Sequence, residues 1–268
     1  MLLAGVVLAL VMIGARWMRL SDTLPPAGQP AADIMLASST SGNLVHHTYF
    51  SLSYVEAHEQ PEWVAYTLTR EMLNAPRVPR TDWFYDDPAV DTESATYKDY
   101  SGSGYTRGHL VPAADMAFDT LAMRESFFMS NVSPQDRAFN QGVWRELEEQ
   151  TRDWARRFGR LHVITGPVFT GEQAEQIGRN GVTVPGAFYK VLVAPNLPEP
   201  RGIGFMIPNA LSEAPLMTYA VAIDAVEART GLDLFVGMDE ELEAAINLAD
   251  WDVDQRRYQR RIEEWNRQ

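Results

Sequence analysis

Cysteine is absent from the 268 residues. That removes disulfides, thiolate metal ligands and cysteine nucleophiles, although it names no compartment. Lysine is nearly absent too: only Lys98 and Lys190 occur, so almost all positive charge is arginine. Arginine is the residue suited to forked, two-point phosphate contacts. The formal net charge is −13, which argues against a broad basic surface that gathers nucleic acid over distance. A few placed arginines could still process phosphodiesters locally. No internal repeat is present, and no region is poor enough in apolar residues for extended disorder. What the chain does have is a core: 46% hydrophobic residues and seven tryptophans fit one substantial domain with appendages.

Long apolar runs are confined to residues 2–15, LLAGVVLALVMIGA, followed by Arg16, Trp17 and Arg19. A membrane span needs about 20 apolar residues and a signal-peptide core roughly 7–15. Residues 1–20 therefore read as an export signal or a short membrane anchor. Residues 21–44, rich in Pro, Ala, Ser and Gly, read as a linker, and the globular part is expected over 45–238.

Within it, residues 48–54 (TYFSLSY) and 63–68 (WVAYTL) carry the aromatic and β-branched residues of paired strands. Residues 161–168, 188–194 and 202–207 are further strand candidates. Residues 140–158 read as a helix, because Val143, Leu147, Thr151, Trp154 and Phe158 recur at three- and four-residue intervals. A second helix is expected from Asp224, capped by Asp224 and Glu227 and stopped at Gly231. Residues 239–268 read as a polar helical tail. Strands interrupted by helices without regular βαβ alternation indicate an α+β domain.

The segment 102–119, GSGYTRGHLVPAADMAFD, is the richest in chemistry. Arg107 and His109 flank Gly108, a spacing that puts both side chains on one side of an extended backbone. Gly108 leaves room for a substrate or metal close to the main chain. A histidine beside a phosphate can take a proton from water near neutral pH, and an arginine can balance the charge that builds up. A structural histidine beside a turn would look the same. In residues 129–152, Asn140 has the position of a helix cap. Glu148 and Arg152, four apart, have that of a surface ion pair, and Asn131 that of a turn residue before Pro134.

Together these residues resemble the DNA/RNA non-specific endonuclease family, the ββα-metal nucleases. The family's Asp-Arg-Gly-His motif stands here as Thr106-Arg107-Gly108-His109, with Pro112 following. Its second motif stands as Ser130-Asn131, Pro134-Gln135, Asn140-Gln141, Trp144 and Leu147-Glu148, at the family's spacing. Similarity continues through KDYSGSGY, Thr165-Gly166-Pro167, VPGAFYKVLV and MIPNA, covering about residues 49–235.

The resemblance implies a ββα-metal (His-Me finger) fold with a central, mostly antiparallel sheet flanked by helices. It implies hydrolysis of DNA, and of RNA, with little sequence specificity, leaving 5′-phosphate and 3′-hydroxyl ends. His109 matches the general base and Asn140 the direct metal ligand. Glu148 matches a carboxylate that helps hold the metal's waters and assists catalysis. Arg107 and Arg152 match arginines near the substrate phosphate; Arg80 and Asn131 match further substrate-side positions, more loosely. Magnesium is the implied cofactor, with Mn2+ or another divalent cation as substitutes. DNA and RNA are the implied partners, and a homodimer and membrane contact through the N-terminus fit as well.

Thr106 replaces the motif's usual acid, which puts the rate in doubt. The alternatives are a metal-dependent phosphodiesterase on small nucleotides and a catalytically impaired nucleic-acid-binding homologue. With the N-terminal run, the expected location is exported or membrane-anchored: a bacterial envelope, the periplasm or the medium.

Overall fold

The computed structural model describes residues 35–38, 42–92, 94–169, 171, 174–244, 246–253 and 260. The apolar run at 2–15, most of the expected linker and half of the expected tail lie outside the described residues.

The strands alternate between two apolar partners, and this decides the architecture. In β3 (Gln60–Thr69), Val64, Tyr66 and Leu68 point into one core while Trp63 and Ala65 point into another. The same division recurs in β6 (Arg160–Val168) and β9 (Ala187–Ala194). A sheet covered on both faces explains why these strands read as nearly unbroken apolar runs rather than as a clean alternation. With β1 (Asn43–His46), β2 (Phe50–Val55), β10 (Arg201–Pro208) and β11 (Ala220–Val221), they form a seven-stranded sheet in the order β1-β2-β3-β6-β9-β10-β11. All its neighbours pair antiparallel.

Between β3 and β6 the chain leaves this sheet to build a smaller unit. After a short helix α1 (Arg70–Asn74), β4 (Thr106–His109) pairs only with β5 (Val132–Gln135), in the register Thr106↔Gln135 to His109↔Val132. Helix α2 (Thr120–Glu125) lies in the connection, capped by Asp119. Beyond β5, Asp136 caps a single turn, α3 (Arg137–Phe139), by accepting from the Ala138 and Phe139 amides.

The expected helix at 140–158 is regular only from Arg145. Asn140–Trp144 forms a wide π turn, in which Gly142 has the non-helical pair φ −104°, ψ −115°. Helix α4 (Arg145–Phe158) follows and turns Leu147, Thr151, Trp154 and Phe158 inward, as their spacing predicts. Two strands and a helix thus stand on one face of the large sheet.

On the other face, after the small hairpin β7 (Gln176–Ile177) and β8 (Val182–Thr183), helix α5 (Ile223–Thr230) packs Ile223 and Val226 into the second core. Gly231 ends it with φ 76°, as expected. The expected cap does not form. The helix begins at Ala222 with no side-chain cap, and Glu227 instead accepts from the Leu234 amide beyond the helix end.

Part of the expected linker and tail joins the body. The Trp63 indole donates to the Ser38 carbonyl, and Ala37 is buried. After helix α6 (Glu240–Ala244), Trp251 is 1% exposed and meets Trp154 and Phe158 edge-on. No helix among the described residues is long and apolar enough to cross a membrane.

Candidate active site

Strand β4 carries the site, with Thr106 and His109 at its two ends, roughly 10 Å apart at about 3.3 Å per residue. At one end, the His109 ring is partly exposed but wedged between two phenylalanines. Phe84 lies 5.2 Å away, and Phe127 meets it edge-on at 4.6 Å. Nε2 is covered and has no hydrogen-bond partner among the described residues, a costly state for a polar atom unless a ligand completes it.

Two arginines close over the same phenylalanines: Arg107 sits 5.0 Å from the Phe84 ring and Arg80 5.0 Å from the Phe127 ring. Both are exposed. Burial first, then the Arg80 and Arg107 charges, lowers the His109 pKa to about 3. In the free protein the imidazole is therefore neutral at any ordinary pH, and a negative charge brought between the two arginines would strengthen it as a base.

At the other end, the Thr106 hydroxyl donates to the Gln135 carbonyl at 2.8 Å and accepts from Asn140 Nδ2 at 2.8 Å. This fixes which way the Asn140 amide faces. Its NH2 is spent on Thr106, and nothing among the described residues donates to Oδ1. The carbonyl oxygen is thus the end offered outward, a hard donor of the kind divalent cations choose. The loss of the motif's acid touches the asparagine rather than the histidine.

Gly108 does not leave the open space expected of it. A Cβ there would lie 2.0 Å from Gln135 Cδ and Oε1. Gln135 fills the room, and its buried side-chain amide atoms have no partner among the described residues. The sequence motif contained this residue without assigning it a role.

Behind the site lies a buried polar cluster. Asp115 accepts from Arg152 Nη1 and from the Tyr66 hydroxyl, both at 2.8 Å. Arg152 therefore faces inward to Asp115, not to Glu148 as their four-residue spacing implied. Lys190, one of the two lysines, is fully buried in β9, its Nζ 5.0 Å from the Trp144 ring and without a hydrogen bond to any described residue. Burial pushes the Glu148 carboxyl up, opposed by Arg152 and Lys190; burial pushes Lys190 down, opposed by Glu148 and Asp115. Two carboxylates and two cations balance one another beneath the sheet-facing side of α4.

Asn131 is likewise structural in its contacts: Oδ1 accepts from the Val111 amide, and Nδ2 donates to the Val111 and Ser126 carbonyls. It shapes the segment just beyond His109. Asp115, Lys190, Phe84 and Phe127 carried no local sequence signal.

The Arg152–Asp115 pair supports a prediction. The two side chains are 12% and 0% exposed, and stranding one buried charge costs about 3–5 kcal/mol. Arg152→Ala is expected to lower the thermal midpoint by a corresponding amount in calorimetry, with Arg152→Lys intermediate. A loss of cleavage at unchanged midpoint would place the guanidinium on substrate instead.

A hairpin and helix on an antiparallel sheet, with histidine and asparagine projecting from that unit, define a ββα-metal nuclease. The family profile for DNA/RNA non-specific endonucleases matches residues 28–241, and the chain belongs to this family. It is an enzyme of the hydrolase class, in a family that uses divalent cations.

It is 31% identical to the mitochondrial nuclease EXOG of Xenopus laevis over 89% of this chain and 70% of that protein. It is 37% identical to human mitochondrial endonuclease G over 65% of this chain and 63% of that one. A solved EndoG, in complex with its inhibitor EndoGI, superposes with a TM-score of 0.71 at 28% identity, over 76% of this chain and 89% of the other. The expected bacterial-envelope, periplasmic or secreted location is corrected by these relatives. The EXOG and endonuclease G proteins, and nuclease 1 of Schizosaccharomyces pombe, are mitochondrial.

Proposed function

We propose that the domain over residues 45–238 is a magnesium-dependent endonuclease that hydrolyses DNA and RNA with little regard to sequence. The observation that carries this reading is His109 Nε2, partnerless between two exposed arginines on the strand whose other end orients Asn140. His109 takes the proton of the attacking water. Arg107 and Arg80 receive the phosphate oxygens, and contacts limited to phosphate and sugar give little base preference.

The residues fit a hard divalent cation: Asn140 Oδ1 would hold it, and the Glu148 carboxyl would help orient its waters. Magnesium keeps most of its waters and often takes only one or two protein ligands. When bound it supplies Lewis-acid stabilisation of the charge on the phosphate and leaving oxygen. Mn2+ fits the same oxygen donors. Arg152 and Asn131 act through Asp115 and Val111, which brace the site. The mitochondrial relatives favour a mitochondrial location.

Degradation of plasmid and RNA with magnesium, compared with chelator, tests the reading. Both are expected to be cut only with metal. Metal-independent cleavage, or none with any divalent ion, overturns it. The net charge of −13 favours a second reading, a phosphodiesterase on small nucleotides, which predicts cleavage of short substrates alone.

A further inference from the structure

Four of the five described tryptophans are at most 1% exposed; Trp83 is 75% exposed. It lies in the segment that supplies Arg80 and Phe84 to the site, and that segment is held at both ends. The Val78 amide donates to the Ala117 carbonyl at 2.8 Å. The Tyr85 amide donates to the Phe127 carbonyl, and Tyr85 accepts from the Met129 amide.

At the Arg77–Arg80 end of this segment, three residues before Trp83, lies a groove of about 200 Å3, lined by Arg77, Val78, Arg80, Ala113, Ala114, Ala117 and Met123. Its floor is continuous with the histidine's surroundings. Ala113, Ala117, Met123 and Phe127 form one buried cluster, with Val78 and Phe84 packed against it. Arg77 and Arg80 are exposed at this groove, and among the described residues the ion-pair partner of Arg80 is the exposed Asp82, 3.8 Å away. Such a surface pair is worth little against a phosphate.

We propose that this groove and Trp83 form a subsite for the nucleotide flanking the scissile phosphate, and that its ligand is single-stranded nucleic acid. The inference rests on the nuclease reading above. Arg77 takes the neighbouring phosphate, the small apolar floor takes the sugar, and an unpaired base stacks on the indole. An exposed aromatic beside arginines is how proteins hold unpaired strands without reading sequence, because every base has a π-face. In a duplex those faces are already covered by neighbouring bases. Stacking also suits a chain whose net charge gives it no long-range hold on a polyanion.

The test measures binding without turnover, in the His109→Ala background, to a ten-residue oligo-dT, an abasic oligomer of equal charge, and a duplex. Trp83→Ala is expected to weaken oligo-dT binding about tenfold and leave the abasic oligomer and the duplex unchanged, with Trp83→Phe restoring most of the loss. Arg77→Ala is expected to weaken both single-stranded oligomers alike. Trp83→Ala without effect on oligo-dT, an equal loss on the abasic oligomer, or no measurable oligo-dT binding by the parent overturns the proposal. Absence of cleavage by the wild type would sink the nuclease reading while leaving this binding comparison legible. An exposed substitution of this kind leaves the fold intact.

Discussion

His109→Ala is expected to slow phosphodiester cleavage by about 100- to 10,000-fold, the range that a positioned general base contributes. Circular dichroism and the thermal midpoint should stay close to wild type, because the residue is half-buried and its Nε2 makes no hydrogen bond to another described residue that alanine would break. The pH dependence distinguishes a base from a mere contact. In the free protein, burial and the Arg80 and Arg107 charges hold the imidazole near pKa 3. The negative charge of a phosphate bound between those arginines offsets their effect, so the pKa rises when substrate binds. The profile of kcat/KM reports the free enzyme and that of kcat the complex. No inflection at the ordinary histidine value of about 6.5 is therefore expected in kcat/KM, while the acid limb of kcat lies higher than that of kcat/KM. Identical limbs near the ordinary histidine value in both profiles would show that the imidazole is not held low in the free protein, and retention of both limbs in His109→Ala would remove it from this role.

The same shift makes a statement about stability. Between pH about 3 and about 6.5 the unfolded chain holds a proton that folded His109 does not. Stability therefore rises with pH through that window and is diminished below it. Substituting alanine flattens that part of the stability profile, which urea titrations at several pH values would reveal.

How much of this could be read in the sequence depends on distance along the chain. The inward stripe of α4 repeats every three or four residues, so Leu147, Thr151, Trp154 and Phe158 are assigned correctly by period alone. Pairing His109 with Asn140 needed the motif, since 31 positions separate them and no periodicity links β4 to the π turn. Pairs that only tertiary packing creates were invisible. Asp115 is matched to Arg152 across 37 residues, and nothing local distinguishes it from the other acidic residues. Lys190 looked like an ordinary polar break in an apolar strand, yet it supplies a buried cation to the same cluster. Gly108 was misjudged because its free space is taken by a residue from the partner strand. Trp251 was read as part of a polar tail because its partners, Trp154 and Phe158, lie roughly a hundred positions away. Local pattern records what one element must do, whereas these contacts record where another element happens to arrive.

Asn140→Ala is expected to abolish metal-dependent cleavage, and its contrast with substitutions at Thr106 shows why. Asparagine can present either its carbonyl or its NH2, and only the carbonyl serves a cation. The Thr106 hydroxyl accepts from Nδ2 and donates its own hydrogen bond to the Gln135 carbonyl, so the amide carbonyl is left for a cation. Thr106→Val keeps the shape of the side chain but removes that acceptor, leaving the amide free to turn. The loss expected is that of a residue that orients a ligand, about 10- to 100-fold in metal affinity. Thr106→Ser should retain the bond and the affinity. Calorimetric titration with Mg2+, or the Mn2+ resonance signal, reads binding directly and needs no turnover. The expected order is wild type and Thr106→Ser together, Thr106→Val weaker and Asn140→Ala without specific binding. If Thr106→Val binds as the wild type does, the amide is oriented by something other than the hydroxyl. If Asn140→Ala retains full affinity, the cation is held elsewhere. Where the motif has an acid, Thr106 thus gives Asn140 a hydrogen-bond acceptor and also a donor that ties β4 to the end of β5.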